Sequence, residues 1–200
     1  LVSVQEELFA FLKQLSTSPI KESTLTHMIE WRQETFSLAA PKGFANQTTS
    51  ERVAFLHRQF NRPIRVCGMV KKTKEHGGGP FWVQHNDGTQ SIQIVEITQI
   101  DTKAADQQAI LESSTHFNPV DIICGLRDYR GNSFDLRNFV DHDTGIITIK
   151  FHEGRTLRTL EHPGLWNGSM ANWNTIFVEV PSITFNPVKT VLDLLRPEHQ

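Results

Sequence analysis

A mixed α/β fold is predicted, with a helical lead-in over 1–62 and a mixed-sheet part over 63–200. Two observations predict it. Apolar residues recur at helical spacing as far as Phe60. Beyond Pro63, short apolar runs alternate with turn signals and further helical stretches. Strands and helices mixed in this way favour α/β over an all-β barrel. No internal repeat and no low-complexity tract is present.

The elements follow in order. Val4, Leu8, Leu12 and Leu15 share one helical face, with Phe11 beside it, and a break falls at Ser16 to Pro19. Leu25, Met28, Ile29 and Phe36 mark a second helix, with Ser23 or Thr24 as its N-cap, because a hydroxyl can accept from an orphan N–H. Pro41 to Thr49 reads as a polar loop. Ser50 then caps a third helix carrying Val53, Leu56 and Phe60, and Pro63 starts an extended segment. Ile64 to Val70 is a strand, Lys71 to Pro80 a basic glycine-rich loop, and Phe81 to Val83 extended. Asn86-Asp87-Gly88 signals a hairpin turn into a strand from Ile92 to Ile97. Lys103 to Ser113 is a helix. Val120 to Leu126 reads as a buried apolar strand. Turns at 129–132 and 141–145 flank the next segment, and strands are expected at 146–151, 157–160 and 175–180. A loop rich in Gly, Asn and Trp covers 163–174. A short helix from Pro187 or Val188 to Leu195 closes the chain.

Composition narrows the function classes. The 200 residues carry 20 Lys plus Arg against 22 Asp plus Glu, a net charge of −2. That balance argues against a general nucleic-acid binder, which needs concentrated positive charge to release counterions. No apolar run approaches the roughly 18 residues of a membrane span. The first stretch is amphipathic and acidic, unlike a signal peptide. Cys67 and Cys124 are too few for a disulfide framework, so a cytoplasmic location is expected. The chain begins at Leu1 rather than Met, so the expectation is a piece of a longer protein, and RPEHQ reads as its natural C-terminus.

Four stretches could carry chemistry. In Lys71 to Gly79, three consecutive glycines, Gly77, Gly78 and Gly79, let backbone N–H groups approach a phosphate or sugar, and lysines supply counter-charge. The same stretch also reads as a solvated surface loop, since it lacks the Gly-Lys-Ser/Thr end of a phosphate loop. Glu96 is an acid inside an apolar strand, on the face of Ile94 and Thr98. A buried carboxylate is costly unless paired, so it either binds hydroxyls or sits at a strand end facing solvent. His116 to Asp121 precedes an apolar strand, where α/β folds place ligands, or is simply a turn started by Asn118-Pro119. The C-terminal block holds Trp166, Trp173 and Lys189. Lys189 can reach a phosphate as a point charge or stay solvated. His76, His85, His116, His142, His152 and His162 are scattered without metal-ligand spacing. No CxxC and no GxSxG element exists.

The order of these blocks is more specific than any one of them. Gly77 to Gly79, then QIVEITQID, HFNPVDIICGL, LWNGSMANWNTIFVEVP and FNPVKTVLDLL together resemble the bacterial domain-of-unknown-function family 4301. The resemblance is good over roughly 50 to 200 and looser over the first helices. It implies the C-terminal part of a longer protein, whose N-terminal half would be a partner of this one. More distantly, the blocks are similar to the sugar-binding half of eukaryotic-type UTP–sugar-1-phosphate uridylyltransferases. That likeness implies a nucleotide-sugar transferase-like fold and a sugar phosphate or nucleotide sugar as ligand. It implies that Glu96 accepts from sugar hydroxyls and that an amide among Gly77 to Gly79 touches the sugar, with Lys72 just before them. It implies that Asn118 and Asp121 flank the ring and that Lys189 neutralises phosphate charge during nucleotidyl transfer. Asp121 departs from the usual Asn, and a carboxylate can only accept. Mg²⁺ is implied as cofactor, with ligands expected mostly outside this chain, because no NTP-binding glycine-rich loop precedes residue 63. A non-catalytic sugar- or nucleotide-sugar-binding module remains open. So does an interaction domain that uses the Trp166 and Trp173 loop.

Overall fold

A computed structural model of the chain describes residues 1–17, 19–72, 77–85 and 88–200. Thr73 to His76 of the basic loop, and Asn86 and Asp87 of the expected hairpin turn, lie outside the described residues, as does Ser18.

Three helices come first: α1 (Val2–Leu15), α2 (Glu22–Phe36) and α3 (Thr49–Phe60). Their apolar faces meet, and α3 packs on both of the others. Leu12, Leu25, Met28, Leu56 and Phe60 are wholly buried. Phe11, Trp31 and Phe60 form an aromatic cluster with ring centroids 5.1 to 5.8 Å apart. Edge-to-face and offset pairs of this kind add to simple area burial.

Both expected N-caps are displaced. Lys21 occupies the α2 N-cap, so Ser23 and Thr24 fall inside the first turn and neither hydroxyl caps the helix. Thr48, not Ser50, caps α3. Its hydroxyl accepts from Glu51 N, while the Glu51 carboxylate accepts from Thr48 N at 2.8 Å. This reciprocal box satisfies two orphan donors. We expect Thr48→Ala to cost about 1 kcal/mol, seen as a fall in Tm of about 2–4 °C. A Ser50→Ala variant should melt like the wild type.

The sheet is built on β1 (Ile64–Lys71). Parallel to it runs β8 (Asn174–Glu179). Antiparallel to it run β4 (His116–Phe117) and β5 (Ile122–Gly125). The Pro63 and Met69 carbonyls accept from Asn174 N and Val180 N on the β8 side. Gly68 N and Lys72 N donate to the Asp121 and Thr115 carbonyls, so the chain from 115 to 125 follows the opposite edge. Between Cys67 and Val70 β1 advances three residues, while its partner goes from Ile122 back to Phe117, which is five. The two surplus residues make Asn118 to Asp121 an outward break in the pairing, a bulge in function if not in size.

Side-chain alternation then sorts two layers. Ile64 and Ile176 pack with the helices. Cys67, Met69 and Phe177 point to the other face, against Ile94, Ile122 and Trp166. That second layer comes from the hairpin of β2 (Gly79–Gln84) and β3 (Gln90–Val95) and from the 163–174 loop. Helix α4 (Ala105–Ser113) follows β3. A separate ribbon pairs β6 (Ile146–His152) with β7 (Arg155–Glu161). Glu153 and Gly154 both have positive φ, 49° and 75°, as a tight hairpin turn requires. Ile147, Ile149 and Phe151 of the ribbon are exposed.

Three expectations change here. The run Val120 to Leu126 yields only the four-residue β5, and Ile123 is 66% exposed, so the run is not a buried strand. Ile122 packs into the second core, while Ile123 on the opposite face stays exposed. The strand expected to reach Ile97 stops at Val95, and the final helix is a 3₁₀ turn, Val191–Leu195. Cys67 is buried, and burial pushes its thiol up to about 11. Cys124 is exposed at the β5 edge.

Candidate functional site

The site begins with the junction of the glycine run and β2. A Cβ on Gly78 would lie 2.8 Å from the Val95 carbonyl and 3.1 Å from the Glu96 carboxyl carbon. One on Gly79 would lie 2.7 Å from the His116 carbonyl. Both are closer than side chains tolerate, so only glycine lets β2 enter between β3 and β4. Gly77 differs: it is exposed and a Cβ there would meet open space.

Glu96 sits just past the end of β3 rather than within it, at the N-cap of a 3₁₀ turn, Ile97–Gln99. Its N–H donates to Gln99 Oε1 at 2.9 Å, which fixes the backbone. The carboxyl is half-buried beside Gly78 and forms no ion pair among the described residues. Burial alone pushes its pKa above the ordinary 4.5. A desolvated acid with no cation is costly unless something donates to it.

Asn118 closes the third side. Its N–H donates to the Gly78 carbonyl at 2.9 Å. Its Oδ1 accepts from Val120 N at 3.1 Å, and its amide NH₂ has no acceptor among the described residues. Val120 holds a φ of 80°, rare for a β-branched residue, in the pairing break. Strain of this kind persists where surrounding structure enforces it, and it gathers at ligand sites.

The structure thus brings Gly78, Gly79, Glu96 and Asn118 together. The other expected residues are placed apart. Asp121 lies over β1, its carbonyl bonded to Gly68 N and its side chain exposed. Lys72 Nζ turns to the end of α4, donating to Ser114 Oγ at 3.0 Å and to the Leu111 carbonyl at 3.4 Å. A cation at a helix C-terminus is favourable for the dipole, so this lysine has a structural post. Lys189 is exposed and its backbone N–H caps onto Asp193. The tail carrying it is pinned nearby, because Phe185 meets Phe117 edge-on at 4.8 Å.

One group escaped the sequence reading. Glu179, at the end of β8, accepts from His116 Nε2 at 3.0 Å and pairs with Lys71 Nζ at 3.3 Å. The His116 hydrogen bond and then Lys71 hold its carboxyl below the ordinary range. His116 and Glu179 border a groove of about 650 Å³, with Trp82, Ile110 and Phe177 as apolar walls. Only the β1–β8 register, Met69 beside Glu179, brings these residues to one place. The tryptophan loop also faces inward. Trp173 is 7% exposed, and Trp166, half-buried, packs on the second core.

A family model, Domain of unknown function (DUF4301), matches residues 1–200. The chain belongs to this family. Membership in DUF4301 therefore extends over the helices at 1–60, where the motifs are loosest. A search of curated proteins returns no match. Two solved structures of a Leishmania major UDP-glucose pyrophosphorylase, both mutants in complex with UDP-glucose, are similar to this DUF4301 chain at 16% identity and a TM-score of 0.41. The alignments cover 74% and 86% of this chain but 33% and 38% of theirs. The chain thus spans little more than a third of those structures. At that level neither neighbour assigns a residue or a ligand to it.

No cluster of three or more His, Cys, Asp or Glu side chains suited to a metal ion forms among the described residues. Among the described residues, then, no such cluster offers Mg²⁺ a site. Among the described residues, no helix is long and apolar enough to cross a membrane.

Proposed function

We propose that the intact protein binds a sugar 1-phosphate or a nucleotide sugar, with Gly78, Glu96 and Asn118 holding the sugar. The observation that carries this reading is that, among the described residues, the half-buried Glu96 carboxylate has no cation and the Asn118 NH₂ no acceptor, and that both residues stand against Gly78. Glu96 can accept from one hydroxyl while Asn118 donates to its neighbour. A vicinal diol supplies both partners, and satisfying buried polar groups in this way gives discrimination as well as affinity. The order of the motifs, which resembles that of the uridylyltransferases, supports the same ligand class.

For the intact protein the reaction is nucleotidyl transfer. A phosphate oxygen of the sugar 1-phosphate attacks the α-phosphorus of an NTP, and pyrophosphate leaves. Lys189 is the residue we assign to phosphate charge, since tail residue Phe185 is anchored next to Asn118. Asp121 takes a peripheral place at most.

The test is calorimetric titration of the protein with UDP-glucose, UDP-N-acetylglucosamine and glucose 1-phosphate. Saturable binding that weakens at least tenfold in Glu96→Gln supports the reading. A folded protein that binds none of the three overturns it. Binding without pyrophosphate release from NTP and sugar phosphate would make the protein a binding module. Stability gives an independent sign. The folded-state pKa of Glu96 is raised, so its contribution is present below the unfolded value and is lost as pH rises through the folded one. At pH 7, Glu96→Gln should therefore bind less and melt at or slightly above the wild type.

A further inference from the structure

At the end of the β2–β3 hairpin remote from Glu96, helices α2 and α3 meet β3 and the 171–175 segment around a cavity of about 290 Å³. It is near the lower bound of about 300 Å³ for small-molecule sites, and its walls are mostly polar. Its wall on β3 runs from Gln90 to Gln93, so Glu96 lies three residues, about 10 Å, farther along the hairpin.

Two guanidinium groups line it, Arg32 from α2 and Arg62 from just beyond α3. Arg32 is 7% exposed. Its Nη1 donates to the Leu38 and Ala39 carbonyls at 2.9 and 3.1 Å, and its Nη2 to Gln59 Oε1 at 3.2 Å. Its Nε has no acceptor among the described residues, and neither has Nε1 of Trp173 in the same wall. Arg62 makes only long bonds, from Nε to the Arg58 carbonyl at 3.3 Å and from Nη1 to the Asn172 carbonyl at 3.5 Å. No carboxylate pairs with either arginine among the described residues. Burial, and then the neighbouring arginine charge, brings each guanidinium down to about 10.

Buried cations are ordinarily paired, because an unpaired one forfeits its hydration without return. Here two unpaired cations and two orphan N–H donors surround one small polar space. An acceptor-only group with two negative charges and several oxygens answers both deficits. Guanidinium forks match phosphate oxygens in geometry, and such charge-assisted bonds are the strong ones. Nearby, Gln93 Nε2 is already spent on Ser91 Oγ and the Ala171 carbonyl, so the arginines carry the charge recognition.

We propose that this cavity is a binding site for a phosphate dianion, free or as the end of a small phosphomonoester, clamped between Arg32 and Arg62. It is separate from the proposed sugar site and does not depend on it.

The test is thermal unfolding and calorimetry of the protein with inorganic phosphate, glycerol phosphate and acetate, at ionic strength matched with chloride. Phosphate should raise Tm by several degrees over chloride, and acetate should not. Tighter binding of glycerol phosphate than of phosphate identifies a monoester site, and the reverse identifies a free-anion site. Arg62→Gln should weaken phosphate binding at least tenfold and, without phosphate, melt close to the wild type, because it removes a half-buried charge that has no carboxylate partner among the described residues. Arg62→Lys keeps the charge but loses the fork, and should bind with intermediate affinity, so the test stands even if the Gln variant misfolds. Glu96→Gln should leave phosphate binding intact. A folded wild type with no phosphate-specific stabilisation, or one whose stabilisation survives both Arg62 variants, overturns the proposal.

Discussion

Phe60→Ala is expected to destabilise the protein by about 3–5 kcal/mol, lowering Tm by about 10 °C or more. Phe60 is wholly buried, ends α3, and touches the rings of both Phe11 on α1 and Trp31 on α2. Its carbonyl accepts from Asn174 Nδ2 at 3.2 Å, at the first residue of β8. The ring therefore joins three helices at the point where the chain turns into the sheet. Truncation leaves a cavity that rigid neighbours on every side cannot refill. Typical domains have about 5–15 kcal/mol in total, so the loss is a large share. Chemical denaturation followed by circular dichroism measures it. Val2→Ala, at a side chain 65% exposed, should stay within about 0.5 kcal/mol of the wild type. A Phe60→Ala cost below about 1.5 kcal/mol would mean that the helices collapse onto one another without the ring.

The second large effect concerns Gly78→Ala. The added methyl group would meet the Val95 carbonyl at 2.8 Å, and a paired backbone oxygen in a strand cannot swing aside as a side-chain tip can. The hairpin must shift, at a cost of about 1–3 kcal/mol. Glu96 is carried with it, so ligand affinity should fall together with stability. Gly77→Ala is the matched comparison, since open space surrounds that position. It should fold and bind normally. If both variants behaved alike, the glycines would serve the chain only as a flexible link, and close approach would not be their role.

The helices were legible because their apolar residues repeat at 3.6 over three to four turns. Their first residues were less so. Thr48, Thr49 and Ser50 are three hydroxyls in a row, and only Thr48 has a Glu three residues on, the capping-box spacing that the choice of Ser50 passed over. Strand identity was legible, but burial was not. Val120 to Leu126 is apolar except for Asp121, yet whether a second layer lies over such a run depends on remote segments. Of the candidate site, Glu96 and Asn118 were readable as an acid inside an apolar run and an Asn-Pro turn, although β3 in fact stops just before Glu96. Their convergence on Gly78 depends on β2 entering between β3 and β4. Glu179 and the Arg32–Arg62 cavity gave no local signal. Arg32 lies on α2 and Arg62 just beyond the end of α3, and only tertiary packing puts them on one space.

The two cysteines differ in a way an experimenter can use. Cys67 is sealed beneath the sheet and its thiol is pushed up to about 11, so it stays silent toward alkylating reagents while the protein is folded. Cys124 lies at the exposed edge strand, only three residues past the break that carries Asp121 and six past Asn118. A maleimide dye attached there without mutagenesis would stand beside the pairing break and report movement in it. Modification of Cys67, in turn, would clock global opening. One chain thus supplies both a local optical probe and an internal gauge of unfolding.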